Sequence, residues 1–473
     1  MSKNIGRGAL AAAAAGAMVL TMASSASALS VDPDPDFGVG PIYTRGANLY
    51  SIADTDTILT AIKASKARTD WGHLVQTPTP NKWVCSGNYV GSPSWEALNG
   101  SPAIDTVFEN GQWVQKAVPA GTVRTVPIWI WGGSGVGWTT TTVTCEVKND
   151  GPILSGTMDI MVSRVDDYPD ALAATTLADV ADAPILLNPT DALDPRVEAE
   201  IKRLSALGKS RNQYVRVHVL GGTDALSHAV YNAIDILPTV DNTIRYQGID
   251  RYETAATLAG ATISRGIASG AGKRDVNVYL TTGHDFADAL AAGAAAAEND
   301  GVVLLTAGSR FDNLGGSGKS FTLEFLTNLR DIVGSNHLNT TENFAVGGPS
   351  AKAVTDAGVR TKANYVGVDR YETATKTAAA TFKSHSNYAI ASGFTFGDAL
   401  IASGFIANAD GPLLLTEPGT ASNQLNGFTA DYLKANLDDK DNVFVFGGRG
   451  DGRTNEANLA GVRAVFGSVF GPF

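Results

Sequence analysis

The chain has 473 residues, a formal net charge of −11, and 44% hydrophobic against 18% charged residues. This acidic balance argues against nucleic acid and against a broad basic patch for anionic lipid, although a few arginines can still hold an anionic ligand locally. The length allows three or four domains, each able to bury its own core.

The N-terminus has the pattern of a secretory signal peptide. Two basic residues precede an alanine-rich apolar stretch from about Ala9 to Met22, and Ala26-Ser27-Ala28 fits the small-residue cleavage pattern. No later stretch approaches the ~18 apolar residues of a membrane-spanning helix. We expect residues 1–28 to be a signal peptide, residues 29–41 a proline-broken linker, and the protein to be secreted. The chain ends without a sorting signal, so we expect any attachment to a surface to be non-covalent.

Residues 69–156 differ in composition from the rest of the chain. They contain all seven tryptophans and both cysteines, Cys85 and Cys145. The alternation in Val126–Trp131 and Thr139–Val147 predicts antiparallel strands. We predict a small Trp-rich β domain inserted in a loop of a larger domain, since loops tolerate insertions best. The tryptophans fit a core or a binding surface. Export and a shared segment predict a disulfide between the two cysteines.

Outside this segment, one pattern occurs three times. It consists of an aromatic-x-Asp-Ala-Leu motif, a Leu-Leu pair sixteen residues after the Asp, and a later Gly-Gly pair. The aspartates are Asp170, Asp288 and Asp398, and the Gly-Gly pairs begin at Gly221, Gly347 and Gly447. A repeat of this length is too long for a solenoid and indicates three small domains.

Strands and helices alternate within each copy. Val276–Thr281 reads as a strand, Asp288–Ala297 as a helix, and Gly301–Thr306 as a wholly apolar strand. Apolar strands that alternate with helices predict a parallel sheet covered on both faces. The fold class is therefore α/β, with three tandem Rossmann-like modules. They comprise residues 42–68 with 157–244, residues 245–363, and residues 364–473.

A second repeated element is Asp-Arg-Tyr-Glu-Thr-Ala, at 250–255 and 369–374, with Gly46–Ala53 as a weaker relative. Its arginines, Arg251 and Arg370, fit three roles equally open from sequence: an ion pair with the nearby Glu, an ion pair between modules, or a contact with an anionic ligand. The weaker relative has Leu49 at the arginine position. The aspartates of the aromatic-x-Asp-Ala-Leu motif open helices, which favours a capping role over a catalytic one.

Together these motifs resemble the cell wall-binding repeat 2 family of Gram-positive bacteria, over roughly residues 42–68 and 157–473. The resemblance implies toprim-like modules packed as a triangle that bind anionic wall polymers. It also implies that an Ile-Leu-Leu type motif contributes to polymer binding. The matching polymer-binding candidates are Ile185, Leu186, Leu187, Asn188, Val303, Leu304, Leu305, Thr306, Leu413, Leu414, Leu415 and Thr416, to which we add Arg251 and Arg370.

We therefore predict a non-catalytic protein of the Gram-positive cell surface, held to an anionic wall polymer or a teichoic-acid-like glycan. The inserted domain would display a site for a protein or sugar partner. The alternatives are a wall hydrolase with its activity in the insert and an S-layer lattice protein. No Asp-x-Asp follows a predicted strand, and the six histidines show no metal-ligand spacing. We expect no cofactor, no metal and no nucleic acid partner.

Overall fold

The computed structural model describes residues 42–70, 82–86, 104–109, 112–117, 123–131, 138–148, 156–268, 274–311, 320–333, 338–420, 422, 424–448 and 451–471. The strands in these ranges are β1 (Tyr43–Arg45), β2 (Ala47–Asp54), β3 (Lys82–Cys85), β4 (Ile104–Glu109), β5 (Gln112–Ala117), β6 (Val123–Trp131), β7 (Trp138–Lys148), β8 (Thr157–Arg164), β9 (Ile185–Asn188), β10 (Tyr214–Leu220), β11 (Asn242–Tyr246), β12 (Arg274–Thr282), β13 (Gly301–Thr306), β14 (Leu338–Val346), β15 (Ala363–Tyr365), β16 (Asn387–Ser392), β17 (Leu413–Thr416) and β18 (Asn442–Gly448). The helices are α1 (Thr57–Asp70), α2 (Ala174–Val180), α3 (Pro195–Ser210), α4 (His228–Asp235), α5 (Arg251–Ala268), α6 (Ala287–Glu298), α7 (Phe321–Val333), α8 (Gly348–Asp356), α9 (Arg370–Thr381), α10 (Phe396–Asn408), α11 (Gly427–Asn436) and α12 (Glu456–Phe470). The predicted signal peptide and linker lie outside the described residues.

Three parallel sheets form the modules, and all three have the same strand order. The first is β9-β8-β10-β11, the second β13-β12-β14-β15 and the third β17-β16-β18-β2, with β1 added antiparallel at the edge of the third. The remaining neighbours within these sheets run parallel. The predicted α/β architecture with three repeated modules is confirmed.

The Leu-Leu strands β9, β13 and β17 are buried at every residue, although each lies at the edge of its sheet. Each edge is covered by a helix that crosses from the neighbouring module. Helix α5 packs on β13, α9 packs on β17 and α1 packs on β9. Covering an edge in this way removes an exposed row of backbone donors and acceptors.

The crossing helices join the modules into a closed ring. Strand β11 belongs to the first sheet while the helix that follows it covers the second, and β15 with α9 repeats this between the second and third modules. Strand β2 completes the third sheet, with Asn48 opposite Asn442 and Asp54 opposite Gly448. Its helix α1 then packs into the core of the first module through Ile58 and Ile62.

The predicted assignment put all of residues 42–68 in the first module, but the structure divides this segment between two modules. Strand β2 pairs with β18 near the end of the chain, and α1 alone lies on the first module. No local pattern in the sequence indicates this pairing, because the parallel partner lies hundreds of residues away along the chain. The N-terminal segment closes the ring because its strand belongs to the third sheet and its helix packs on the first module.

The structure also corrects the weaker relative of Asp-Arg-Tyr-Glu-Thr-Ala. All but the first of residues 46–53 lie in strand β2 (Ala47–Asp54), and they do not start a helix. The structural counterpart begins at Asp56, whose carbonyl accepts a hydrogen bond from the Thr60 hydroxyl at 3.2 Å. Thr254 and Asp250 are related in the same way at 3.0 Å. Thr57, and not Leu49, therefore occupies the position of the repeated arginine.

Helices α2, α6 and α10 pack against one another around a pseudo-three-fold axis. Thr175, Gly293 and Ser403 lie at the same position of the three helices, five residues after the repeated Asp. The hydroxyls of Thr175 and Ser403 are hydrogen-bonded at 2.9 Å. A Cβ added to Gly293 would lie only 2.8 Å from Thr175 Cβ. Small residues let the three backbones approach closely at this axis.

The insert is antiparallel where it is described, as its alternating sequence predicts. Strands β3, β7 and β6 form one sheet, and β4 and β5 form a separate pair. Cys85 on β3 faces Cys145 on β7, and the predicted disulfide between them is present. The tryptophan side chains lie outside the described part of the chain, so the proposed binding surface on the insert stays a prediction.

Candidate functional site at the module junctions

Each crossing helix begins where the carboxyl ends of parallel strands from two modules meet, the edge at which open α/β sheets place ligands. We call these places junction I (start of α5), junction II (start of α9) and junction III (start of α1). Each contains the aromatic residue and the Asp of one module's aromatic-x-Asp-Ala-Leu motif. Each also contains the turn that follows the first strand of the next module in the ring.

The aromatic residues of the motif gather at the axis. The Tyr168 ring centroid lies 5.9 Å from those of both Phe286 and Phe396. The Tyr168 hydroxyl donates a hydrogen bond of 2.9 Å to the His284 carbonyl in the second module. The three junctions are therefore arranged around one aromatic cluster and share one face of the ring.

An aspartate caps each crossing helix. The Asp250 carboxylate accepts hydrogen bonds from the backbone N–H groups of Tyr252 at 2.9 Å and Glu253 at 3.0 Å. Asp369 makes the same pair of bonds in junction II, and Asp56 caps α1 in junction III. These carboxylates satisfy N–H groups that have no partner within the helix, which fixes where each helix starts.

The glutamate of the repeated element closes the cap and does not hold the arginine. Glu253 Oε2 accepts a hydrogen bond of 2.6 Å from the backbone N–H of Ile249. Glu372 accepts one of 2.6 Å from Val368 in the same way. This is a capping-box arrangement displaced by one residue. It leaves the guanidinium groups of the repeated arginines free of the glutamate carboxylates in their own motifs.

Arg251 bridges the first and second modules in junction I. Its guanidinium carbon lies 6.0 Å from the centroid of the Tyr168 ring, within range of a cation–π interaction. Its Nη1 also donates a hydrogen bond to the Gly283 carbonyl, which follows strand β12. The arginine therefore lies on the motif aromatic of one module and contacts the strand end of the next.

Arg370 makes the same contacts in junction II and adds an ion pair. Its guanidinium carbon lies 5.8 Å from the Phe286 ring centroid, and Nη1 donates to the Gly393 carbonyl. Nη2 donates to Asp285 Oδ2 at 2.7 Å. The two side chains of this ion pair are 35% and 44% exposed. Arg370 thus makes an inter-module ion pair while part of its side chain remains accessible to a ligand.

The repeated aspartates occupy unequal electrostatic environments. Burial raises the pKa of Asp170, although a hydrogen bond with Thr254 and the Arg251 charge act in the opposite direction. Burial, with repulsion from Asp285, raises the pKa of Asp288 to about 6. Asp288 Oδ1 also has no hydrogen-bond partner. Desolvation penalises the charged form of these carboxyls more than their neighbours stabilise it.

Asp398 in junction III differs, because it has a buried arginine partner. Arg453 Nε and Nη2 donate to the two oxygens of Asp398, both at 2.7 Å, and the side chains are 7% and 0% exposed. Nη2 also donates to Thr60 Oγ1 at 2.9 Å and to the Gly447 carbonyl at 2.7 Å. The network connects α10, the end of β18 and the N-terminal segment.

The Gly-Gly pairs give the repeated carboxyls room. Gly221 and Gly347 have φ angles of +92° and +90°, a region that favours glycine. A Cβ at Gly221 would lie 2.5 Å from Asp170 Oδ2, and one at Gly347 would overlap Asp288 Oδ2. Tight packing against a carboxyl and a left-handed backbone therefore explain these glycines.

The structure places every Leu-Leu candidate in the hydrophobic core. Those side chains are at most 5% exposed, as are the polar residues that follow them; they are Ile185, Leu186, Leu187, Asn188, Val303, Leu304, Leu305, Thr306, Leu413, Leu414, Leu415 and Thr416. They have no surface for direct polymer contact in this conformation, because crossing helices cover their strands. Arg251 and Arg370 are the two candidates that reach the junction face.

The polar residue after each Leu-Leu pair organises the next loop. Asn188 accepts from the Asp194 N–H at 2.8 Å and donates to the Ala192 carbonyl at 2.9 Å. The Thr416 hydroxyl accepts from the Asn426 N–H at 2.9 Å. These side-chain hydrogen bonds hold the conformation of the loops at the carboxyl edge of the sheets.

Sequence reasoning missed Arg453 and Asp285, which control the charge of junctions III and II. Arg453 follows an apolar strand and a glycine turn, and no repeat predicted it. One indirect signal was available: the weaker relative of Asp-Arg-Tyr-Glu-Thr-Ala lacks the arginine of the other two copies. A buried carboxylate without its cation calls for another partner.

Among the described residues, no helix has the length and apolar character needed to cross a membrane. Across the same part of the chain, no three His, Cys, Asp or Glu side chains are grouped so as to hold a metal ion.

A family model for cell wall binding domain 2 (CWB2) matches residues 139–231, 245–352 and 365–451. These segments make up more than half of the chain, so the protein belongs to the cell wall binding domain 2 family. The resemblance seen in the repeated motifs is confirmed. The match begins in the insert and leaves out residues 42–68, the segment that the ring shares between two modules.

Two solved structures from Clostridium difficile are similar to this chain. Cwp6 aligns with a TM-score of 0.51 at 20% identity, over 86% of this chain and 47% of Cwp6. Cwp8 aligns with a TM-score of 0.50 at 17% identity, over 89% of this chain and 69% of Cwp8. At these identities the likeness shows a shared fold, and the chain spans about half the length of Cwp6. No curated protein matches the chain.

Proposed function

We propose that this is a non-catalytic cell-surface protein held non-covalently on an anionic glycopolymer of a Gram-positive cell wall. Membership of the cell wall binding domain 2 family supports binding to the wall. The finer claim rests on one observation: Arg251 and Arg370 occupy equivalent places at the strand-carboxyl edge, on the same face of the ring. In this proposal the inserted β domain is the part displayed to a partner.

Local charge, and not net charge, carries this proposal. A chain with a net charge of −11 repels an anionic polymer as a whole. Guanidinium groups are suited to phosphate and carboxylate because they offer several donors in a fixed plane. Each of these two arginines is held in place by an aromatic ring and a backbone carbonyl, so little side-chain freedom is lost on binding.

The Ile-Leu-Leu type motif fits this proposal in an indirect role. Its strands are buried beneath the crossing helices, and Asn188, Thr306 and Thr416 shape the loops at the same edge. We propose that these residues position the polymer site and that the arginines contact it. Substituting the buried leucines should therefore lower binding only together with stability.

The central experiment is sedimentation of the mature chain, from residue 29, with purified Gram-positive walls before and after acid extraction of their polymers. Binding that disappears after extraction supports the proposal. Equal binding to extracted walls would point to peptidoglycan as the ligand and would overturn the polymer assignment. Residues 364–473 alone are unsuitable for this test, because their sheet lacks strand β2.

The arginines are tested within the full mature chain by Arg251→Ala, Arg370→Ala and the double variant. Linked sites gain avidity, so losing both should weaken wall binding on the order of a hundredfold, and each single loss should weaken it less. The salt sensitivity of binding should shrink with each arginine removed. Lys352→Ala removes the same charge from a 62% exposed side chain on α8 and serves as the control. Unchanged binding by the folded double variant would place the polymer elsewhere.

The insert is tested by deletion. Helix α1 ends at Asp70 and strand β8 begins at Thr157, so residues 71–155 can be replaced by a short flexible linker. We expect the shortened chain to remain folded and bound to walls. A folded variant that no longer binds would make the insert itself the anchor.

A further inference from the structure

One large aromatic side chain stands exposed at the junction face. Phe394 is 62% exposed, although phenylalanine is most often buried. It lies in the turn after β16, where its backbone N–H donates to Ser392 Oγ at 3.0 Å. The Ser392 hydroxyl in turn donates to the Gly452 carbonyl. The backbone that carries the ring is therefore held on both sides.

The turn that carries Phe394 is joined to the start of helix α9 by one cation. The carbonyl of Gly393, the preceding residue, accepts the hydrogen bond from Arg370. Val368, two residues before that arginine, is 83% exposed. Junction II therefore presents an aromatic face, an aliphatic side chain and a partly exposed guanidinium at one strand end. A mixed apolar and cationic surface of this kind suits a ligand with both characters.

The equivalent turns of the other junctions present different side chains. His284 follows Gly283 in junction I, and its backbone N–H donates to Thr282 Oγ1 at 3.1 Å, which reproduces the turn. Asp166 takes the position in junction III, where it is bound to Arg164 at 2.8 Å and is 56% exposed. The turn is repeated, but the residue that it presents changes from phenylalanine to histidine to aspartate.

We propose that junction II contains a carbohydrate subsite in which Phe394 stacks on a pyranose ring and Arg370 contacts an anionic group on the same or the next sugar. The faces of aromatic rings are electron-rich and attract the weakly positive C–H groups of a sugar. The subsite rests on the proposed function and makes it more specific. Junction I offers a weaker version with His284, and the carboxylate of Asp166 repels an anionic polymer at junction III.

The test uses the full mature chain and the soluble polymer released from Gram-positive walls by acid, with affinity measured by titration calorimetry. Phe394→Ala should weaken binding about three- to tenfold. Phe394→Leu keeps apolar volume but loses the flat ring, so it should weaken binding to a similar extent. Phe428→Ala removes a 38% exposed phenylalanine at the start of α11 and should leave affinity unchanged.

The outcomes separate the subsite from the proposed function. A parent chain that binds neither walls nor polymer overturns both. A parent chain that binds while Phe394→Ala matches it, in a folded protein, overturns the subsite alone. If Phe394→Leu binds the polymer as tightly as the parent, residue 394 makes an apolar contact and not a ring-stacking contact. His284→Phe supplies the converse test, because it should strengthen binding, and a decrease would contradict the geometry proposed here.

Discussion

Junctions II and III contain the same repeated aspartate in opposite electrostatic situations. Asp398 is bonded through both oxygens to the buried Arg453, whereas Asp288 has an oxygen without a hydrogen-bond partner and a pKa raised to about 6. The motif aromatic-x-Asp-Ala-Leu is shared, and so is the backbone around it. The repeated Asp therefore occupies an equivalent place in each module, while its side-chain partners come from residues outside the repeat.

The position of the arginine accounts for the difference between these junctions. In junction II, Arg370 comes from the crossing helix and faces the surface. In junction III the cation comes from the loop after β18 and points inward, where it also contacts Thr60 and the Asp54 carbonyl of the N-terminal segment. We infer that junction III stabilises the closure of the ring and that junctions I and II remain available for a ligand.

The largest expected effect comes from breaking the buried pair. Arg453→Met leaves the Asp398 carboxylate buried without its counter-charge, which should lower the free energy of unfolding by about 3–5 kcal/mol. Urea unfolding followed by circular dichroism measures this. Adding Asp398→Asn to the same chain should recover part of the loss. Lys434→Ala, at an exposed ion pair with Asp431, is the control and should cost less than about 1 kcal/mol.

The three-fold axis, where the modules remain most alike, gives the next largest effect. Gly293→Thr places a Cβ 2.8 Å from Thr175 Cβ and should cost about 1–3 kcal/mol through overpacking. Adding Thr175→Gly to the same chain exchanges the threonine and the glycine between the first and second modules. The two substitutions should then couple favourably by at least about 1 kcal/mol in a double-mutant cycle. Strictly additive effects would show that these helices do not meet as described.

A third prediction uses pH to expose the ionisation of Asp288. Its folded pKa of about 6 exceeds the usual value of 3.8, so the folded state binds more protons between these limits. The Asp288 contribution therefore falls as pH rises from about 4 to about 6. Asp288→Asn removes this loss. The stability of the variant relative to the parent should rise across that window, by about 1–3 kcal/mol, and then stay level.

The variant must be compared with the parent, because buried histidines change the stability of both proteins with pH in the opposite direction. Burial lowers the pKa of His218 and of His385 to about 4, so their contribution to stability rises with pH between about 4 and 6.5. These residues are present in both chains and cancel in the comparison. A flat difference curve from pH 4 to 7 would contradict the raised pKa of Asp288.

The sequence was sufficient to predict features that local pattern determines. The constant spacing from Asp to Leu-Leu revealed three modules, because a helix and the return strand of one crossover have a fixed length. The repeated Asp-Arg-Tyr-Glu-Thr-Ala element marks the starts of helices α5 and α9, where the structure shows its aspartate capping the helix. The disulfide followed from export and the location of both cysteines in one segment.

The features that escaped prediction depend on distant parts of the chain. Strand β2 is apolar enough for either sheet, and its side-chain hydrogen bond from Asn48 to Asn442 crosses 394 positions. The Leu-Leu strands look like central strands because helices from other modules cover their edges. Arg453 had no repeat to reveal it, since it compensates for a loss in the third copy alone. Long-range pairing and compensation leave no periodic signal in one sequence.

The smallest expected effect on stability belongs to the residue with the largest proposed role in binding. Arg370→Ala removes an ion pair with Asp285 whose side chains are 35% and 44% exposed, so solvent screens most of its energy. We expect the free energy of unfolding to fall by less than about 1 kcal/mol, whereas Arg453→Met should lower it by about 3–5 kcal/mol. The same variant should bind walls more weakly and with a smaller salt dependence, because in the proposed site the guanidinium contacts the polymer. If urea unfolding instead shows a loss like that of Arg453→Met, the arginine is chiefly a structural tie between modules. Junction II would then resemble junction III, and the division between a closing junction and binding junctions would fail.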